Sequence, residues 1–165
     1  MHNDHTFFQS KHFDCICERC QDPTELGTFG SSIKCKQCKT GFNSPPKWKC
    51  DSCEKSLSPQ KAENILKSAY DESEKLLKNQ SNWSVKNFEK YLTDYNSILH
   101  PNNMCNMRIK NSLVGFYGRS AGYEVPVLMG NPKLLDRKIV LGKNVLDVIG
   151  KIETGISSVK GNQTT

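Results

Sequence analysis

No run of apolar residues in this 165-residue chain approaches the ~18 that a membrane-spanning helix needs. Met1 to Ser10 lacks the basic start and apolar core of an export signal. These two absences point to an intracellular chain, nuclear or cytoplasmic, with no membrane partner. Thiols stay reduced in such compartments, so clustered cysteines read as metal ligands before they read as disulfides. Aliphatic residues are scarce in the first third, which therefore lacks the material for an ordinary core. Metal would have to supply the missing folding free energy there. A basic–aromatic stripe is missing too. The net charge of +6 is spread over both halves among acidic residues, which reads as a solvated surface, and direct nucleic-acid binding is not expected. Neither a basic localisation cluster nor a strict internal repeat is present.

What the first third does have is cysteine. Seven of the eight lie between Cys15 and Cys53: C-x-C-x2-C (Cys15, Cys17, Cys20), then Cys35-x2-Cys38, eleven residues, and Cys50-x2-Cys53. Tetrahedral zinc takes four thiolates, and a C-x2-C turn aims two sulfurs at one metal. Cys35, Cys38, Cys50 and Cys53 thus make one complete, closed, structural site. A redox pair of the thioredoxin kind would be a single C-x2-C at a strand-to-helix junction, whereas two pairs lie here in a loop-rich frame. Cys15, Cys17 and Cys20 make only three-quarters of a second site. Cys105, His12, His5 or a water are the candidates for its fourth ligand, none at convincing spacing. Cys105, beside Met104 and Met107, reads as a packed helix cysteine. Trp48 is expected over the complete site, with Lys47 and Lys49 solvated.

Glycines and prolines punctuate the cysteine-bearing stretch, and Gly41 to Pro46 reads as the tip between two short antiparallel strands, a zinc-ribbon layout. At Ser58-Pro59 the pattern changes to helical. A serine cap followed by proline starts a helix that runs to about Asn79. Ser84 starts a second, with Val85, Phe88, Leu92, Tyr95 and Leu99 on one face up to His100-Pro101. A third carries Met104 to Tyr117 and ends at Gly118. Gly122 to Gly130 reads as a loop, and a fourth helix runs from Asn131-Pro132 to near Gly150. The expected architecture is a small zinc-bound irregular/β module followed by an all-α, TPR-like helical array. Its parts are a cysteine segment over 1–28, a zinc ribbon over 29–58, helices over 59–155 and a flexible tail over 156–165.

The run Phe13-Asp14-Cys15-Ile16-Cys17-Glu18-Arg19-Cys20-Gln21-Asp22-Pro23-Thr24-Glu25-Leu26-Gly27-Thr28 resembles the post-SET segment of SET and MYND domain proteins. Its Asp-Pro-Thr-Glu-Leu-Gly-Thr portion is similar to the arthropod branch of that family, the msta and SmydA type. Leu99-His100-Pro101-Asn102, Tyr117-Gly118 and Leu135-x-Arg137-Lys138-Ile139 resemble the same branch's helical region. The resemblance implies that Cys15, Cys17 and Cys20 share a zinc with one cysteine of a catalytic SET core, in an Asn-His-x-Cys motif. It further implies that such a core binds S-adenosylmethionine and methylates protein lysines, with Phe13 near the cofactor's adenine. Taken alone, Phe13 reads as a packing aromatic. The donor-binding segment, the Asn-His-x-Cys motif and the catalytic tyrosine would lie upstream of Met1. The expectation is therefore a zinc-binding C-terminal part of such a protein, inactive by itself. The alternatives are a helical scaffold for protein partners and, more remotely, a nucleic-acid-binding ribbon.

Overall fold

The computed structural model describes residues 21–79 and 83–161. Phe13, Cys15, Cys17, Cys20, His5 and His12 lie outside the described residues. Among the described residues, a three-stranded antiparallel sheet precedes five helices. The strands are minimal: β1 (Ile33–Lys34), β2 (Phe42–Ser44) and β3 (Lys49–Cys50) lie in that spatial order. Asn43 of β2 stands opposite Ile33 on one side and Cys50 on the other. Strands this short cannot hold a sheet by their ladder alone, so the cysteine loops and the helices must hold it. The segment read as the ribbon tip is in fact the central strand. Reversal falls later, over Pro45 to Trp48, where the Trp48 amide donates to the Ser44 carbonyl at 2.8 Å. Two prolines without N–H groups cannot join a central strand, so they place the turn.

Helix α1 (Pro59–Lys78) starts as the sequence predicts, with the Ser58 hydroxyl accepting from the Lys61 amide. In α2 (Val85–Tyr95), Ser84 accepts from the Asn87 amide, and in α3 (Met104–Phe116) the Asn103 side chain accepts from the Cys105 amide. Two elements depart from the sequence reading. The expected Gly122–Gly130 loop contains α4 (Val125–Gly130), which has a proline in its first turn and seats the buried Leu128 on the core. Helix α5 (Pro132–Gly161) runs past Gly150 into the segment read as tail. One glycine costs a helix about 1 kcal/mol, too little to end α5 just beyond the buried Val145 and Val148.

Helix α3 is the hub, packed on by α1, α2 and α5, while α4 lies against α5. Its Ile109 and Leu113 are fully buried, in one cluster with Leu66, Phe88, Tyr91 and Leu141. Cys105 belongs to that cluster as well, so it is a core residue. Polar clasps fix the helices on one another. The Tyr91 hydroxyl donates to the Ala69 carbonyl at 2.9 Å, and Arg108 pairs with Glu74. Arg137 of α5 forks onto both oxygens of Glu89 on α2, at 2.8 and 2.6 Å. Tyr117 donates to that same carboxylate at 3.0 Å, and Lys138 donates to the Tyr117 carbonyl at 2.6 Å. Among the described residues, no helix is long and apolar enough to cross a membrane.

Sheet and helices share one core. Ile33 bridges to Leu99, which lies beyond the end of α2, not on its face as the periodicity suggested. The Lys34 amide donates to the Ile98 carbonyl at 2.8 Å, the His100 amide to the Ser32 carbonyl at 3.1 Å, and the Met104 amide to the Gly30 carbonyl at 2.8 Å. His100 closes the seam. Its ring stacks on Phe29 at 4.5 Å and meets Phe42 edge-on at 4.4 Å, while its Nδ1 accepts from the Asn102 amide at 2.9 Å. Burial, with Lys110 nearby, pushes His100 down from 6.5 to about 4. A neutral ring in the fold and a basic one in the open chain means that acid favours the open chain. The stabilisation from this histidine is fully present above about pH 6.5 and is lost as pH falls towards about 4. An NMR titration of the zinc-loaded chain is expected to show the His100 ring midpoint near 4. A midpoint at the ordinary histidine value would mean the seam is open in solution.

Candidate metal centre

The two C-x2-C pairs sit on matching loops at the same end of the sheet. After β1, the Cys35 amide donates to the Gly41 carbonyl at 2.9 Å and the Lys39 amide to the Cys35 carbonyl at 3.0 Å. After β3, the Cys50 amide donates to the Lys55 carbonyl at 2.9 Å and the Glu54 amide to the Cys50 carbonyl at 3.1 Å. In each loop the residue just past the second cysteine is left-handed, Lys39 at φ 62° and Glu54 at φ 61°. A glycine would take that conformation without the roughly 1 kcal/mol that a β-carbon costs. Lys39→Gly is therefore expected to stabilise the chain by about that amount, read as a higher denaturant midpoint at unchanged slope.

Gly41 is required for a different reason. A β-carbon there would lie 2.6 Å from the Cys50 sulfur and 2.3 Å from an Asp51 carboxylate oxygen. The second loop thus closes directly over the first, and Asp51 locks it by accepting from the Phe42 amide at 2.9 Å.

The four sulfurs lie within 4.8 Å of one another. Cys35 and Cys53 are 3.6 Å apart, and Cys38 and Cys50 are 3.7 Å apart. Four thiolates bonded at about 2.3 Å to a tetrahedral zinc stand about 3.8 Å apart along each edge. All four are free thiols, and these separations are far beyond a disulfide's ~2.05 Å. The spacing is that of a metal cage.

Electrostatics point the same way. Amide and hydroxyl donors face the sulfurs, with the Gly41 amide 3.3 Å from Cys38 and the Ser52 amide 3.4 Å from Cys50. The Thr40 hydroxyl, then the Gly41 and Thr40 amides, draw Cys38 down to about 6. Cys35 is lowered by the Cys38 amide first, against its burial. Cys50 is pushed up to about 12, by burial first and then by sulfurs crowded beside it. Four thiolates cannot share this volume without a compensating cation. A soft N/S-preferring dication fits the donor set, and zinc closed in by four sulfurs keeps no open position for chemistry. These four cysteines could hold one zinc ion.

The sequence reading named these four residues, and the structure brings them together. Trp48, expected over the metal, packs against the core shared by sheet and helices. In the sequence His100 marks a helix stop and belongs to a segment resembling the family; its place between Phe29 and Phe42 depends on long-range contacts that no local pattern reveals. The described parts of the segments that carried the family resemblance, from Gln21 onward, hold joints of the fold. Asp22 accepts from the Thr24 amide and hydroxyl and from the Leu26 amide at 2.7–2.8 Å, making a self-capped turn. Glu25 then accepts from the Ser31 amide and hydroxyl at 2.9 and 2.8 Å. Leu99-His100 forms the seam, and Arg137-Lys138 clasps α5 to Glu89 and Tyr117.

No family model matches the chain, and no solved structure matches it. Among curated proteins it is similar to the SET domain-containing protein SmydA-8, isoform B, of Drosophila melanogaster, at 44% identity over 54 residues. That match takes in 27% of this chain and only 12% of the Drosophila protein. Over the matched part, the chain is thus related to a SET domain-containing SmydA protein.

Proposed function

We propose that this chain is the zinc-ribbon and helical C-terminal part of a SET and MYND-type, protein-lysine methyltransferase-like protein, and that it is inactive by itself. The observation that carries the reading is the 44% identity to SmydA-8 over 54 residues, in a chain whose four gathered cysteines could hold one zinc ion. The fold adds support, because the centre is fused to the helical array through Ile33, Leu99 and His100. The zinc would be structural, fixing the ribbon as the platform on which α1 starts. Methyl transfer needs a channel that aligns the substrate amine with the sulfonium methyl. In this reading a SET core outside this sequence builds that channel and binds S-adenosylmethionine. Cys15, Cys17 and Cys20 would complete a second zinc with a cysteine from that core, and Phe13 would approach the cofactor.

A metal count on the purified chain, joined to a labelled methyl-transfer assay, tests this. The expected result is one chelator-resistant zinc per chain, a second site that is empty or weak, and transfer to histones at background. Two equally tight zincs would show that the cysteine triplet finds its fourth ligand within the chain or by dimerisation. Methyl transfer above background by the chain alone would overturn the inactive reading. In the transcript, an in-frame Asn-His-x-Cys ahead of the Met1 codon is expected.

A further inference from the structure

A cleft of about 530 Å³ runs between the ribbon and the start of α1. Its rim carries four lysines, Lys34, Lys36, Lys55 and Lys61, and no carboxylate lines it. Among the described residues, none of the four pairs with an acidic side chain. Elsewhere in the molecule Lys49, Lys78, Lys90 and Lys151 each meet a carboxylate; what sets the cleft apart is that four lysines without such a partner share one rim. The cleft also has apolar ground, from the partly buried Leu57 and Ile65 and the buried Ile33.

We propose that this cleft binds an acidic peptide segment with a central aliphatic side chain. Each part of the site answers one part of such a ligand. Leu57 and Ile65 take the aliphatic side chain, and the lysine rim meets flanking carboxylates. A nucleic-acid strand answers the site less well. Its phosphates leave the apolar ground of Leu57 and Ile65 unfilled, and no aromatic side chain lines the cleft for a base to stack on. The inference is independent of the methyltransferase reading and stands on the ribbon and α1 alone.

Fluorescence anisotropy on the zinc-loaded full chain tests it, with a fluorescein-labelled, amide-capped Glu-Glu-Leu-Glu-Glu peptide as probe. Saturable binding is expected, weakened about tenfold or more by the pair Lys55→Glu and Lys61→Glu. The exposed Lys67 and Lys86 lie outside the cleft, and reversing their charge is expected to leave affinity within about twofold. The Gln-Gln-Leu-Gln-Gln peptide is expected to bind about tenfold more weakly, and Glu-Glu-Ala-Glu-Glu about threefold more weakly. Zinc content and far-UV dichroism confirm that each variant is folded. Equal losses from the Lys67 and Lys86 reversals would reduce the effect to diffuse charge and overturn the site. Displacement of the probe by an oligothymidine of equal charge, at equal concentration, would overturn the peptide assignment in favour of nucleic acid. No saturable binding to the zinc-loaded chain would overturn the proposal outright.

Discussion

Exchanging Cys50 for serine is expected to release the zinc and unfold the ribbon in a single step. Cys50 is 2% exposed, ends β3 and anchors the second loop through its own amide. Serine would leave three thiolates around the metal and a buried hydroxyl at the fourth corner. Binding to such structural sites is worth about 10–16 kcal/mol in small metal modules, comparable to or larger than the 5–15 kcal/mol that holds a whole domain. Strands of two and three residues retain nothing to replace it. Metal analysis should fall from one zinc per chain to none, and protease cleavage should appear between residues 29 and 57 under conditions where the parent resists. A variant that keeps its zinc against chelator as the parent does would refute the four-thiolate assignment. Cys35→Ser should behave alike, since Cys35 is 3% exposed and anchors the first loop, its amide donating a hydrogen bond to the Gly41 carbonyl.

Leu99→Ala carries the second large effect, and it reaches both halves of the molecule. Leu99 has 0% exposure and bridges Ile33, which is 1% exposed. Truncating a buried leucine costs about 2–5 kcal/mol. At about 2–4 °C per kcal/mol for chains of this size, the midpoint should fall by roughly 4–20 °C. The more informative readout is the metal. Because β1 leads straight into Cys35, loosening the seam is expected to speed zinc loss to a chelator. Coupling between two sites is reciprocal, so zinc should in turn raise the midpoint of the helical transition. A lower midpoint with unchanged zinc release would mean that ribbon and helices are stabilised separately.

The parts of this fold that were legible in the sequence are those that local chemistry decides. Ser58 and Ser84 mark helix starts because a hydroxyl can accept from an amide three residues on. Two C-x2-C turns meet because zinc asks for four sulfurs at one point. What was hidden depends on partners distant in the chain. Leu99 keeps helical spacing with Tyr95 yet leaves the helix, because Ile33 offers it a better seat. Helix α4 was obscured by its six-residue length and bracketing glycines, and it is held by Leu128 against the core. Gly150 looks like a stop, but Val145 and Val148 are already committed to the core one turn earlier. The cleft likewise draws Lys34, Lys36, Lys55 and Lys61 from three stretches of chain, and only the fold sets them around one rim.

The two tryptophans divide this molecule optically. Trp48 lies in the reversal between β2 and β3 and packs against the common core. Trp83 sits far along the chain, 43% exposed, donating to the Leu77 carbonyl at 3.0 Å and edge-on to Phe116 at 5.7 Å. Emission from the first follows the ribbon, and emission from the second follows the contact between α1, α2 and α3. With Trp83 replaced by phenylalanine, the remaining signal becomes a label-free clock for metal loss. With Trp48 replaced, the signal times the opening of the helices, so one instrument can order the two events during unfolding.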